Sequence, residues 1–168
     1  MATTSDGGPP DGVEILTPPP EFSTHPTQEA VVTSDARYRV CRWGRRAGKN
    51  ITAAIDVIRY ARRPWASTWG PDDPRDVLCW WVGPTYDQAN KHGYDTIKQG
   101  LPDSWIADYG ESKPRFIELT NGVTIEFRTF ERPKSLQGEG VDRLVIDEAD
   151  QMGQGIWYGD LDPMLLDS

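Results

Sequence analysis

Two short segments of this chain carry side chains whose types and spacing suit phosphate chemistry. The first is a glycine-bracketed basic turn, made of Gly44, Arg45, Arg46, Ala47, Gly48, Lys49 and Asn50. The second begins at Arg143, continues as a short apolar run over residues 144–146 and ends in two acids, Asp147 and Glu148. Glycines let backbone amides approach phosphate oxygens, a lysine amine reaches the same oxygens, and carboxylates hold Mg²⁺ or accept protons. Together these residue types indicate nucleotide binding.

The basic turn lies between a strand-like and a helix-like segment. β-favouring side chains such as Val40 fill residues 38–43, and residues 51–61 carry apolar side chains at helical spacing. The turn therefore ends at a helix amino terminus, whose unpaired N–H groups and positive dipole end attract anions. From that position Lys49 can reach the β- and γ-phosphates of a nucleotide. The alternative is a basic turn that joins a buried strand to a helix and binds nothing.

The turn departs from the usual phosphate-binding loop at its start and at its end. That loop reads Gly-x-x-x-x-Gly-Lys and then Ser or Thr. Here Trp43 occupies the first glycine position, because Gly44 comes one residue late, and Asn50 replaces the hydroxyl residue. The amide oxygen of Asn50 can still serve as a ligand for Mg²⁺.

The acidic segment supplies the other half of the chemistry. A short apolar run that ends in acids suits a buried parallel strand, and ligands of open α/β sheets bind at the carboxyl edge of such strands. We expect Asp147 to hold Mg²⁺, directly or through water, and Glu148 to orient and deprotonate the attacking water. Taken alone, the two acids also suit a helix cap or a solvated turn. Their pairing with an upstream Gly-Lys turn favours the nucleotide site.

Hydrophobic periodicity predicts the elements that position these residues. After a helical stretch over residues 29–34, the predicted strands and helices are, in chain order, residues 38–43, 51–63, 77–82, 85–99, 115–119, 123–129 and 143–146. Thr85 caps the helix over residues 85–99, and Asn121-Gly122 is the turn of a β-hairpin. The order of strand, helix, strand, helix, hairpin and strand is that of a three-layer α/β sheet. The predicted fold is a mostly parallel P-loop NTPase sheet with an inserted β-hairpin.

Composition excludes several classes of function. Lys plus Arg number 18 against 26 for Asp plus Glu, and the net charge of −8 lacks the basic excess of a free-standing duplex-binding domain. Any DNA contact is therefore local or supplied by a partner.

Cys41 and Cys79 fall in apolar segments with no signal sequence before them, which indicates reduced core residues of a protein that is not secreted. His25 and His92 are isolated, so no zinc spacing exists, and no apolar run approaches a membrane span.

The chain is expected to contain a flexible amino-terminal arm over residues 1–22 and a P-loop nucleotide-binding domain over residues 23–168. The arm is rich in proline and glycine and cannot bury enough surface to offset its ordering entropy. Where the domain begins, the Gln28 amide offers one acceptor and two donors, which match the edge of adenine. The alternative for Gln28 is a solvent-exposed residue at a helix start.

With these residues placed, the chain resembles the amino-terminal ATPase region of bacteriophage terminase large subunits, the motors that package DNA into viral procapsids. The resemblance runs from about residue 27 to the end. It rests on ordered motifs, namely Gln28, Gly44-Arg45-Arg46-Ala47-Gly48-Lys49, Val82-Gly83-Pro84-Thr85-Tyr86, Ser135-Leu136-Gln137-Gly138 and Leu144-Val145-Ile146-Asp147-Glu148-Ala149. The late glycine and the paired arginines are typical of that family.

The resemblance implies ATP and Mg²⁺ as cofactors. The implied roles are adenine contact for Gln28, phosphate binding for residues 44–50, Mg²⁺ ligation for Asp147 and Asn50, and catalysis for Glu148 and Arg45. Some family members carry at the place of Arg45 an arginine that neutralises transition-state charge. The implied partners are double-stranded DNA held by the assembled motor, the portal protein, the small terminase subunit, and a nuclease half or further large-subunit copies. The implied location is the host cytoplasm, without membrane contact.

The family continues beyond the acidic strand into a coupling strand, further sheet and a nuclease domain with an acidic two-metal site. The resemblance therefore implies that the sheet is incomplete and that residues 23–168 are a partial P-loop ATPase domain without a nuclease domain. Two-metal cleavage needs carboxylates that hold ions about 3.5–4 Å apart, and the sequence offers no second acidic cluster. We therefore expect no nuclease activity and at most slow ATP hydrolysis from the chain alone. Two alternatives stay open: a truncated, non-catalytic terminase remnant, and a helicase-like P-loop ATPase whose acidic motif also reads Asp-Glu-Ala-Asp.

Overall fold

The computed structural model describes residues 24–44, 46–62, 77–137 and 140–166. The strands are β1 (Leu78–Gly83), β2 (Ile106–Gly110), β3 (Arg115–Leu119), β4 (Thr124–Thr129) and β5 (Arg143–Ile146). The α-helices are α1 (Pro26–Val32), α2 (Lys49–Ala61), α3 (Tyr86–Gln88), α4 (Asp95–Gly100), α5 (Gln154–Ile156) and α6 (Asp162–Leu166). Stretches of π-helix span Ala89–Tyr94 and Trp157–Leu161, and short 3-10 helices span Asp103–Trp105, Pro133–Leu136 and Ala149–Gln151.

The described strands form one mixed sheet in the order β2-β3-β4-β1-β5. β1 is parallel to both of its neighbours, with Trp81 opposite Phe127 of β4 on one side and opposite Val145 of β5 on the other. β3 is antiparallel to β4 and to β2. The predicted α/β class is confirmed, but the described sheet is mixed and not mostly parallel, because two of its four strand pairings are antiparallel. The predicted hairpin is formed by β3 and β4, and it belongs to the main sheet because β4 pairs directly with β1.

Helical segments cover both faces of the sheet. Along β1, Cys79 and Trp81 pack into a core with α2 and the helix that follows β1. Trp80 and Val82 pack into a second core, which is closed by the helices after β5. Successive side chains of a strand point to opposite faces, and all four of these residues are buried. The predicted three-layer arrangement is therefore confirmed.

The hairpin turn is built as its sequence predicts, and it also fixes the end of α2. Gly122 has a φ of 86°, a left-handed conformation that glycine adopts without steric cost. Asn121 Oδ1 accepts the N–H of Val123 at 3.3 Å, which stabilises the turn locally. The Nδ2 of Asn121 donates to the carbonyl of Ala61, the last residue of α2, at 2.8 Å.

Residues 38–43, which the sequence predicts as the first core strand, form no strand. None of the described strands pairs with them, and Val40 is 93% exposed. A strand needs a neighbour to satisfy its backbone N–H and C=O groups, and β-favouring side chains do not supply one. Side chains hold the segment instead, because Arg39 donates to both oxygens of Asp56 at 2.8 and 3.0 Å, and Arg143 of β5 binds the same carboxylate.

The helix after β1 begins where the sequence predicts, but its winding changes along its length. Thr85 caps it, because Thr85 Oγ1 accepts the N–H of Gln88 at 3.2 Å. The chain then follows π-helical winding over Ala89–Tyr94 before α4 begins. Within this stretch Gly93 packs so close to the Trp81 ring that a Cβ would lie 2.7 Å from ring carbons. Such π-helical turns are frequent at functional sites.

Both cysteines are free thiols. Cys79 is fully buried, as predicted for a core residue, whereas Cys41 is only half-buried in the segment that lacks strand pairing. Burial raises the pKa of both thiols.

Among the described helices, none combines the length and apolar character needed to cross a bilayer. The predicted flexible arm over residues 1–22 lies outside the described residues.

Candidate nucleotide-binding site

The basic turn folds into a loop with left-handed backbone at Arg46, where φ is 62°, and at Gly48, where φ is 77°. Gly48 is the N-cap of α2, and its carbonyl accepts the N–H of Thr52 at 2.9 Å to start the helix. Earlier in the loop, the N–H of Ala47 donates to the carbonyl of Gly44 at 3.4 Å. Left-handed residues in a turn direct backbone N–H groups into concavities that bind anions.

The amino end of α2 is free to bind an anion. Among the described residues no side chain caps it, and its first turn holds no acid. A helix of 13 residues directs the positive end of its dipole and the unpaired N–H groups of its first turn toward the loop. Lys49 begins this helix, and its Nζ donates to the carbonyl of Trp43 at 3.0 Å across the loop. A phosphate oxygen can take the place of that carbonyl.

Gln28 is packed against this loop and is only 5% exposed, which excludes the solvent-exposed alternative. Its Oε1 accepts the N–H of His25 at 3.0 Å, and its Nε2 donates to the carbonyl of Gly48 at 3.4 Å. A Cβ at Gly48 would lie 2.5 Å from that Nε2. Glycine is therefore required at this position both by its positive φ and by the approach of Gln28.

Asp147 and Glu148 follow β5 directly, as predicted. The N–H of Asp147 donates to the carbonyl of Val82 in β1 at 2.9 Å, and Asp147 is 8% exposed. At Glu148 the chain turns with a φ of 52°, and this residue is exposed. The turn therefore presents one buried carboxylate and one exposed carboxylate side by side.

The loop and the acidic turn lie at the same edge of the sheet. The acids follow the carboxyl end of β5, which is parallel to β1 and β4. Asn121, which binds Ala61, precedes β4, so the carboxyl end of α2 lies at the amino edge of these strands. Nearer the amino end of the helix than Ala61, Asp56 pairs with Arg143, the first residue of β5. Because the helix rises about 1.5 Å per residue, its amino end with Lys49 lies toward the carboxyl edge.

His92 reaches the acidic turn from the π-helical stretch after β1. Its Nδ1 lies 2.8 Å from Oδ2 of Asp147. The sequence interpretation left His92 isolated and missed this contact. The sequence did contain a signal for this contact, namely the place of His92 in the helix after β1. A helix that follows a parallel strand begins at the carboxyl edge of the sheet, where Asp147 also lies.

The donors at this edge suit Mg²⁺. Among the described residues, no group of three or more His, Cys, Asp or Glu side chains is arranged to hold a metal ion. Mg²⁺ does not need such a cage, because it is usually held by one or two carboxylates together with substrate phosphates and water. The buried carboxylate of Asp147 is a donor of the type that Mg²⁺ binds, and Asn50 carries a neutral oxygen donor in the first turn of α2. Arg45 lies outside the described residues.

No family model matches the chain. Among curated proteins, it is 25% identical over 163 residues to the terminase large subunit of Thermus virus P23-45. It is 24% identical over 163 residues to the terminase large subunit of Thermus phage G20c. Each alignment covers 86% of this chain and 31% of the relative, so the chain spans about a third of the length of these relatives. The resemblance to terminase large subunits is confirmed.

Solved structures agree with the sequence relatives. The large terminase ATPase domain of Thermus phage P74-26 superposes with a TM-score of 0.60 at 22% identity, covering 87% of this chain and 62% of that domain. A point mutant of the same domain gives a TM-score of 0.60 and covers 63% of that chain. This chain has the fold of a phage large terminase ATPase domain.

Proposed function

We propose that this chain binds ATP with Mg²⁺ and hydrolyses ATP as the ATPase part of a phage DNA-packaging motor. The observation that carries the proposal is the convergence, at one edge of the sheet, of the uncapped amino end of α2 with the Asp147-Glu148 turn. The similarity to terminase large subunits, and to a structure described as a large terminase ATPase domain, supports it.

The chain's own residues divide the chemistry of hydrolysis among them. Lys49 and the N–H groups of α2 bind the phosphates, and Gln28 contacts the adenine. A water molecule attacks the γ-phosphorus, its proton passes to the carboxylate of Glu148, and the bond from the γ-phosphorus to the ADP oxygen breaks. The products are ADP and inorganic phosphate. For Arg45, which lies outside the described residues, the proposed role is to supply a cation that stabilises the charge developing on the transferred phosphoryl group.

Asp147 and Asn50 are the residues that would hold Mg²⁺. Mg²⁺ held there would supply positive charge that stabilises the phosphates of the nucleotide. Asn50 contributes a neutral amide oxygen where related loops contribute a hydroxyl, so the negative charge at the metal comes from Asp147 and the nucleotide.

In the whole motor, we propose that hydrolysis is coupled to the movement of double-stranded DNA into a procapsid in the host cytoplasm. The partners are then the portal protein, the small terminase subunit, and further large-subunit copies or a nuclease region. The net charge of −8 argues against a free-standing duplex-binding surface. DNA contact therefore belongs to the assembled motor.

Substitution of Lys49 tests the phosphate loop. Lys49→Ala removes the amine that acts on the same phosphates as the dipole of α2. We expect the Kd for ATP with Mg²⁺, measured by isothermal titration calorimetry, to rise at least tenfold, which is about 1.4 kcal/mol.

Lys134→Ala is the matched control, because Lys134 is exposed on the 3-10 helix Pro133–Leu136 and its removal changes the net charge equally. The control should bind ATP like the wild type. Equal affinity of the wild type and Lys49→Ala would refute the phosphate-loop assignment.

A further inference from the structure

We propose that His92 is a positioning residue that orients the Asp147 carboxylate toward the bound cation. This inference rests on the proposed function, because it assigns to His92 a part in the Mg²⁺ dependence of nucleotide binding. His92 itself need not touch the nucleotide or the metal. Its role is to hold one oxygen of Asp147 so that the other faces the phosphates.

The contact between the two side chains is a directed hydrogen bond. His92 Nδ1 and Asp147 Oδ2 lie 2.8 Å apart. Asp147 is 8% exposed, and a buried carboxylate is stable only when its oxygens have partners. Among the described residues His92 is the side chain that hydrogen-bonds this carboxylate. An ionised carboxylate only accepts hydrogen bonds, so Nδ1 must carry a proton.

The main chain of both residues is fixed independently of this bond. The N–H of Asp147 donates to the carbonyl of Val82 at 2.9 Å, which holds the residue at the end of β5. On the other side, Gly93 packs directly against the Trp81 ring. Tyr94 meets Phe127 of β4 edge to face, with ring centroids 5.3 Å apart.

The imidazole therefore approaches from a rigid support. What remains adjustable at Asp147 is the rotation of its side chain, and the Nδ1 bond restricts it. With Oδ2 engaged by His92, Oδ1 is left to face a cation at the carboxyl edge of the sheet.

Loss of this kind of supporting hydrogen bond typically weakens metal affinity by about 10–100-fold. We expect His92→Ala to raise the Mg²⁺ concentration needed for half-maximal nucleotide binding by at least about tenfold. ATP binding in EDTA should be unchanged, because the phosphate loop is untouched.

Two amide variants separate positioning from simple packing. In His92→Asn the amide nitrogen falls near the position of Nδ1, whereas in His92→Gln it falls near the position of Nε2. We expect His92→Asn to restore most of the Mg²⁺ dependence and His92→Gln to behave like His92→Ala. The readout is binding of a slowly hydrolysed ATP analogue, titrated with MgCl₂ by fluorescence or calorimetry. Equal behaviour of the Asn and Gln variants would overturn the positioning role.

A spectroscopic measurement tests the same bond without nucleotide. The chain contains two histidines, so the ring ¹⁵N signals of His25 and His92 can be assigned from one variant. We expect His92 in the neutral form to carry its proton on Nδ1, whereas free imidazole side chains favour Nε2. A proton on Nε2 in the wild type would refute the hydrogen bond and the inference with it.

The outcomes distinguish this inference from the proposed function. If Mg²⁺ does not alter nucleotide binding by the wild type, the proposed function fails, and the role of His92 fails with it. If nucleotide binding by the wild type requires Mg²⁺, and His92→Ala reaches half-maximal binding at the same Mg²⁺ concentration, the proposed function stands and the role of His92 is refuted.

Discussion

At the scale of single residues, backbone strain coincides with the candidate site. Among the described residues, Arg46 and Glu148 are the only non-glycine residues with positive φ. Such conformations cost about 1–3 kcal/mol each and persist where the surrounding structure enforces them. At Arg46 the left-handed turn shapes the phosphate loop. At Glu148 it separates an exposed carboxylate from the buried one beside it, so both strained residues lie where the chemistry is proposed.

The adjacent acids should fail in different ways when each is made neutral. Glu148→Gln keeps the shape of the side chain but cannot accept a proton, so we expect ATP binding to persist and any turnover to vanish. Asp147→Asn weakens a Mg²⁺ ligand, so Mg²⁺-dependent binding should fall together with turnover. Binding is measured by calorimetry and turnover by phosphate release.

Glu118→Gln serves as the control, because Glu118 is exposed on β3 and its loss changes the net charge equally. It should match the wild type in both assays. Equal loss of binding in the two acid variants would contradict their separate roles.

At the scale of elements, α2 connects the parts of the chain that form the site. Its amino end lies toward the carboxyl edge of the sheet, and its carboxyl end is bound by the hairpin turn through Asn121. On its buried side, Asp56 accepts hydrogen bonds from Arg39 and from Arg143. One carboxylate therefore links the segment before the phosphate loop, the helix after it, and β5.

Removal of this carboxylate should lower the stability of the whole arrangement. Asp56→Ala leaves Arg39 and Arg143 partly buried without the carboxylate they share. We expect the free energy of unfolding, measured by urea denaturation, to fall by about 3 kcal/mol. Asp108→Ala is the control, since Asp108 is exposed on β2, and it should stay within about 0.5 kcal/mol of the wild type. A similar small loss in Asp56→Ala would show that the ion pairs do not hold these elements together.

The π-helical stretch after β1 depends on the absence of a side chain at Gly93. Gly93→Ala would place its Cβ 2.7 Å from carbons of the Trp81 ring, which is buried and cannot move freely. We expect a loss of about 2 kcal/mol in the free energy of unfolding from this overpacking. Gly159→Ala is the matched control, because Gly159 also lies in a π-helical stretch but has nothing within 4 Å of the added Cβ. Equal stability of the two variants would contradict the packing argument.

At the scale of the whole molecule, β1 is an interior strand that is buried on both faces, and the reactivity of Cys79 in this strand reports on global unfolding. Its thiol has no exposure, and burial raises its pKa, so little reactive thiolate forms in the folded chain. Cys41 is half-buried in a segment held by side chains alone.

Thiol labelling should therefore occur in two steps. We expect Cys41 to react with an excess of a thiol reagent in the native protein, and Cys79 to react only as fast as the molecule unfolds. In the Cys41→Ser variant the fast step should disappear and the slow step should remain. Mass spectrometry of the labelled chain counts the modified thiols. Fast labelling of Cys79 under native conditions would mean that the sheet opens locally.

The sequence by itself determined the parts of this protein that depend on neighbouring residues. The hairpin at Asn121-Gly122, the cap at Thr85 and the apolar strand before Asp147 rest on local turn chemistry and periodicity, and each is found where the sequence predicts it. The roles of the loop and acidic residues stay predictions, although the structure brings these residues to one edge of the sheet.

Only the tertiary structure decided what depends on distant partners. The β-favouring residues 38–43 form no strand because no described strand lies beside them, whereas β2, which the sequence did not predict, forms because β3 pairs with it. Likewise, Gln28 is buried because Gly48 approaches it, and His92 binds Asp147 because β1 and β5 are neighbours. Periodicity and turn chemistry encode which face of an element is apolar and where the element ends. They do not encode which elements become neighbours, because that depends on how the whole chain packs.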